Sequence, residues 1–168
     1  MIEVELAAVQ IDQRSATPVM LLKESQPPGR TLAVYIGRTE AQAIVDSIQG
    51  IEPPRPMTHD LMRDVIEALG GIVVRVVITE LVEATFYAQV ELKIQQKVVV
   101  VSARPSDAVA LAVRVAAPIF VASDVMALEG FVVALESDEL ASADDENPEK
   151  LVVEFRDFLE HINPEDFS

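Results

Sequence analysis

"VVVVSARPSDAVALAVR", residues 98–114, contains the change of period on which the fold turns. Its valine run is β-branched and too short for a helix of its own, so it predicts a strand. Pro105 lacks an N–H and fixes its own φ, which ends that strand. The following "AVALAVRVAA" is apolar nearly all round and predicts a buried helix over about 107–116. Ser106 reads as its N-cap and Asp107 as a first-turn acid. Strand and helix both look destined for the core. Arg104, at the junction, must then be exposed or paired, with Asp107 or another carboxylate as the simplest partner.

Working outward, "IVVRVVITEL" (72–81) and "ATFYAQVEL" (84–92) join 97–102 in a three-strand meander. Segments 2–11, 18–24 and 31–37 predict another, with "SQPPGR" as a turn. Between the meanders the spacing becomes helical. Thr39 with Gln42 reads as a capping box for Ala41, Ile44, Val45 and Ile48, ending at Gly50. After the stiff "EPPRP", Thr58 reads as the cap of a second helix, with Leu61, Met62, Val65, Ile66 and Leu69 on its core face. Segment 118–122 predicts a short strand, "SDVMALEG" a helical turn and 131–135 a last strand. The order βββ-αα-βββ-α-β, plus a C-terminal helix, predicts an α+β fold of antiparallel-rich meander sheets with packed helices. The domain spans 1–135, followed by an acidic flexible linker over 136–147 and a docking helix and tail over 148–168. Leu151, Phe155, Phe158, Leu159 and Ile162 form that helix's stripe.

The 168 residues hold no cysteine, which excludes disulfides and thiolate chemistry and suits a reducing cytoplasm. "MIEVELAAVQ" is acidic and alternating, unlike a signal peptide, and no stretch has the apolar length of a membrane span, so a soluble protein is expected. Net charge is −15, but residues 1–135 carry 11 Lys and Arg against 16 Asp and Glu, and residues 136–168 carry two against 12. The body is therefore only mildly acidic. Nucleic acid is opposed by the overall charge without being excluded.

No glycine-rich phosphate loop is present, and no organic cofactor is expected. His59 and His161 are too isolated for a histidine zinc site. A Ser106–His59–Asp triad lacks a nucleophile elbow. Asp60, Asp64 and Glu67 share a face of the second helix, where carboxylates can hold Mg²⁺ or Mn²⁺ or simply meet solvent. "RPMTHD" gathers Arg55, Thr58, His59 and Asp60 at a helix start, a place that suits an anion, with histidine available as general acid or base.

Taken together, "RPMTHDLMRDVIEALG", "FYAQVEL" and "ARPSDAVALAVRVAAPIFV" are similar to the bacterial and plant bifunctional nucleases, as are "IGRTEAQAI" and "FRDFLEHINPEDF". Matching positions are Glu40, Thr58, His59, Asp60, Phe86, Tyr87, Arg104, Pro105, Ser106 and Asp107. The resemblance implies an α+β domain, dimeric or larger, with DNase and RNase activity. Many members carry aspartate where this chain has Ser102. The residues and the resemblance together point to a metal-assisted phosphodiester hydrolase. In it His59, Asp60, Arg104 and Asp107 are catalytic, and Arg55, Thr58 and Ser106 bind substrate or anion. Asp60 and Asp107 hold Mg²⁺ or Mn²⁺. The alternative is a non-catalytic dimeric module that binds an anion or a protein, or helix caps and an ion pair that only fix the fold.

Overall fold

A computed structural model of the chain describes residues 1–132. The expected linker, the C-terminal helix and most of the 131–135 strand lie outside the described residues. Three antiparallel strands, β1 (Ile2–Asp12), β2 (Thr17–Glu24) and β3 (Thr31–Tyr35), form the first meander. Helices α1 (Arg38–Ile48) and α2 (Thr58–Ala68) follow. The second meander is β4 (Gly71–Val82), β5 (Thr85–Ile94) and β6 (Lys97–Ala103). Helix α3 (Pro105–Val115), strand β7 (Ile119–Val121) and helix α4 (Ser123–Glu129) complete the described chain.

The two meanders are one seven-stranded sheet, in the order β3-β2-β1-β7-β4-β5-β6. Short β7 joins them, antiparallel to β1 and parallel to β4. Its three residues suit the position. Ile119 and Val121 are buried, and Ile119 pairs with Val4 on one side and Val76 on the other. In the core, α3 packs Ala108, Val109, Leu111 and Ala112 toward β4 and β5, with Val76, Ile78, Ala88 and Val90, while α1 and α4 cover Met20, Leu22 and Leu32 of β2 and β3. Burying the α3 side chains away from water favours this packing by about 25 cal/mol per Å² of apolar surface.

Three helix starts differ from the expected ones. Gly37 is the N-cap of α1, Met57 of α2 and Arg104 of α3, so Thr39, Thr58 and Ser106 lie inside the first turns and are not caps. Pro105 decides the last case, because its fixed φ suits the first helical position. Gly50 and Gly70 follow α1 and α2 with φ of 66° and 71°, the left-handed conformation that ends a helix at little cost in glycine.

Two apolar runs are also placed differently. Strand β6 is the sheet's edge, beyond the cover of α2 and α3, and Val98, Val99, Val100 and Val101 are all exposed. Helix α2 is rolled so that Leu61, Val65 and Leu69 face water while His59 is buried. Of the expected stripe, Ile66 packs against the core cluster. Polar bonds from the first turn of α2 to α3 set this roll.

Candidate functional site

Each of α1, α2 and α3 carries a carboxylate at its third position: Glu40, Asp60 and Asp107. A negative charge there meets the unpaired N–H groups and the positive end of the helix dipole. Helix α3 packs against both α1 and α2, which brings the three first turns together.

Arg104 joins them. Its Nε donates to Asp107 Oδ2 at 2.7 Å, and its terminal Nη2 donates to Glu40 Oε1 at 2.7 Å and Asp107 Oδ1 at 3.1 Å. His59 Nε2 lies 3.0 Å from Asp107 Oδ1. The sequence motifs "RPMTHD" and "ARPSD" therefore form one cluster. Burial pushes the Asp107 carboxyl up, but hydrogen bonds from Arg104 and His59 outweigh it and hold the group below the usual carboxylate range. An ionised Asp107 only accepts, so His59 Nε2 carries the hydrogen and donates it. Asp107 and Glu40 in turn raise the Arg104 guanidinium above its ordinary value.

Asp60 belongs to a second, deeper arrangement. Its Oδ1 accepts from Arg114 Nε at 2.6 Å, and its Oδ2 accepts from the Met57 N–H at 2.9 Å. Arg114 also donates to the carbonyls of Ala110 at 2.8 Å and Ala43 at 3.0 Å. One guanidinium, 5% exposed, thus links α1, α2 and α3. Arg114 is absent from the sequence-level candidates. The signal for it was there, since an arginine inside an all-round apolar helix needs a buried partner.

The cluster lines a groove of about 670 Å³ between α1, α2 and the connector 50–57. Arg55, Thr58, His59, Asp60, Arg104 and Asp107 all border it, whereas Ser106 is buried and does not. Arg55 and Thr58 are exposed there. The carboxylate row does not gather: Asp60 is paired with Arg114 and Asp64 with Arg63, and Glu67 is exposed.

The two motifs that meet here are the ones carrying the resemblance, and the bifunctional nuclease domain matches residues 20–134. The chain belongs to the bifunctional nuclease domain family. Among its relatives are the uncharacterized proteins MT1877 and Rv1829, from two strains of Mycobacterium tuberculosis. Each is 44% identical over 166 residues, covering 99% of this chain and 98% of the relative. The matched region contains all the elements that build the groove. Ser102, the position at which the chain departs from the resemblance, pairs with Gln89, whereas its neighbour Ala103 pairs with Ala88 on the face that packs against α3. Side chains alternate along a strand, so position 102 faces away from α3, and this departure leaves the His59–Asp107–Arg104 cluster unaltered.

Proposed function

We propose that the groove is a phosphodiester site at which the protein hydrolyses DNA or RNA. The observation that carries this reading is the joint cluster: a histidine bonded to an ionised aspartate, beside an arginine that is 66% exposed. Among the described residues no hydrogen bond engages Arg104 Nη1, which leaves that edge for a phosphate oxygen. With Nε2–H fixed on Asp107, the free His59 nitrogen Nδ1 takes the proton as water attacks phosphorus. The phosphorus–oxygen bond to the leaving group breaks, and the imidazolium returns the proton to that oxygen. Arg104 neutralises the charge that develops on the phosphoryl oxygens.

A divalent ion fits this arrangement poorly. The Arg104 guanidinium already bridges Glu40 and Asp107, and among the described residues no three His, Asp or Glu side chains form a ligand set. Mg²⁺ or Mn²⁺ would have to displace an arginine from Asp60 or Asp107.

The test is hydrolysis of DNA and RNA substrates in Mg²⁺, in Mn²⁺ and in chelator, with protein purified free of host nucleases. Asp107→Asn and His59→Gln, shown to be folded by circular dichroism, are each expected to lower the rate at least about 100-fold. A rate unchanged by both substitutions overturns the proposal.

The binding-module alternative is supported by the mutual pairing of Glu40, Arg104, Asp107 and His59, a closed network that is already satisfied. Oligonucleotide or phosphate binding without hydrolysis under any of those conditions selects it. On either reading we propose a homodimer, supported by the apolar surface that α2 and β6 turn outward, and a cytoplasmic site of action. No helix among the described residues is long and apolar enough to cross a membrane.

A further inference from the structure

Glu40 reaches Arg104 by lying back across the start of its own helix, and the residue beneath it is Gly37. The backbone does not call for glycine there. Its φ of −70° and ψ of 156° are extended values that any residue adopts. Space does call for it. A Cβ on Gly37 would collide with Glu40 Oε2 and lie 3.2 Å from Glu40 Cδ. The Glu40 side chain is only 17% exposed, and its Oε1 is the partner that holds Arg104 Nη2 from across the groove.

We propose that Gly37 is a positioning residue. By lacking a side chain it lets the Glu40 carboxylate fix the Nη2 edge of Arg104, so that the guanidinium presents its Nη1 edge to an anion in the groove. This rests on the reading of Arg104 as the anion contact. Asp107 holds Nε at 2.7 Å and Nη2 at 3.1 Å, and Glu40 adds a shorter second acceptor on Nη2 at 2.7 Å, so that two carboxylates preorganise the guanidinium before a phosphate arrives. Without Glu40, Nη2 keeps only its longer bond to Asp107 Oδ1, and the guanidinium rests on one carboxylate instead of two.

A double-mutant cycle on the full chain tests this, with Gly37→Ala placed in the wild-type and in the Glu40→Ala background. The first readout is the hydrogen-exchange rate of the Arg104 Nη2 hydrogens by nitrogen-15 NMR, assigned with Arg104→Lys. The second is binding of inorganic phosphate. Gly37→Ala is expected to speed the exchange on the order of tenfold and to shift phosphate affinity in the wild-type background, the size of one charge-assisted hydrogen bond. In the Glu40→Ala background the same substitution is expected to change neither, since no carboxylate remains to be displaced. Alanine fits the backbone, so circular dichroism and the thermal midpoint should stay near wild type. Equal effects in both backgrounds would show that Gly37 acts through the helix start alone and would overturn the proposal, as would no effect in the wild-type background. A cycle that holds in the exchange rates while phosphate fails to bind rejects the phosphodiester reading and leaves the positioning role standing.

Discussion

At the scale of single residues, the site separates into groups that face the groove and groups that hold it together. Asp60 reads in the sequence as a catalytic or metal-binding acid, yet its partner is Arg114, a cation 5% exposed. Removing that carboxylate charge leaves a guanidinium buried with only two carbonyls and a weakened third bond. Asp60→Asn is therefore expected to cost roughly 3–5 kcal/mol in chemical denaturation. A loss below about 1 kcal/mol would show that Arg114 does not depend on it. The same pair sets an acid limit. The Arg114 hydrogen bond is the largest influence on the Asp60 carboxyl and holds it below its ordinary 3.8, against partial burial. Asp107 is also held low. A carboxyl with a lowered folded pKa contributes its full stability above the unfolded value and loses it as pH falls through the folded one. Stability is expected to decline as the pH drops below about 4, and the Asp60→Asn profile should be flatter across that window. Equal slopes for the two proteins would refute the linkage.

At the scale of elements, what was legible in the sequence is what local periodicity controls. Strands β1 to β6 and helices α1 to α4 came out in order, because alternation and the 3.6 period act within a segment. The strand-to-helix switch at Pro105 is visible for the same reason. What lay beyond local reading depends on neighbours. Nothing in "IFV" says that it inserts between two meanders, and nothing in "VVVV" says that it is an edge rather than a centre. Helix α2 is the clearest case. Its apolar stripe suggested a core face, but the bonds from His59 and Asp60 to α3 turned that stripe outward. Leu61, Val65 and Leu69 on α2 and Val98 to Val101 on β6 are then apolar side chains left without cover among the described residues. An unprotected valine edge is a liability unless something pairs with it. If the partner is a second copy, Val65→Glu and Val100→Lys should give a monomer by light scattering. Neither should lower monomer stability by more than about 0.5 kcal/mol, since the side chains are already 48% and 51% exposed. Dimers that persist in both variants would place the interface elsewhere.

At the scale of the whole molecule, the proposed phosphodiester site requires a chain of charge −15 to approach a polyanion against its own field. The excess is unevenly spread. Residues 136–168 carry two basic against 12 acidic side chains, so removing them brings the net charge to −5. The groove itself is close to balanced, bordered by Arg55, Arg63, Arg104 and Arg114 and by Glu40, Asp46, Glu52, Asp60 and Asp107. Binding a phosphate there is then a matter of local geometry at Arg104, opposed by a long-range field. That opposition is screened within about 8 Å at physiological salt, whereas a bonded contact is screened far less. Deleting residues 136–168 is expected to tighten binding of a single-stranded oligonucleotide at low salt, with the advantage shrinking as salt rises. Arg104→Ala should abolish binding in both forms, because it removes the contact and not the field. A deletion that leaves affinity unchanged at every salt concentration would mean that the acidic segment does not act as a competing charge. Binding that survives Arg104→Ala in the deleted form would move the nucleic-acid surface away from the groove, and with it the argument for hydrolysis there.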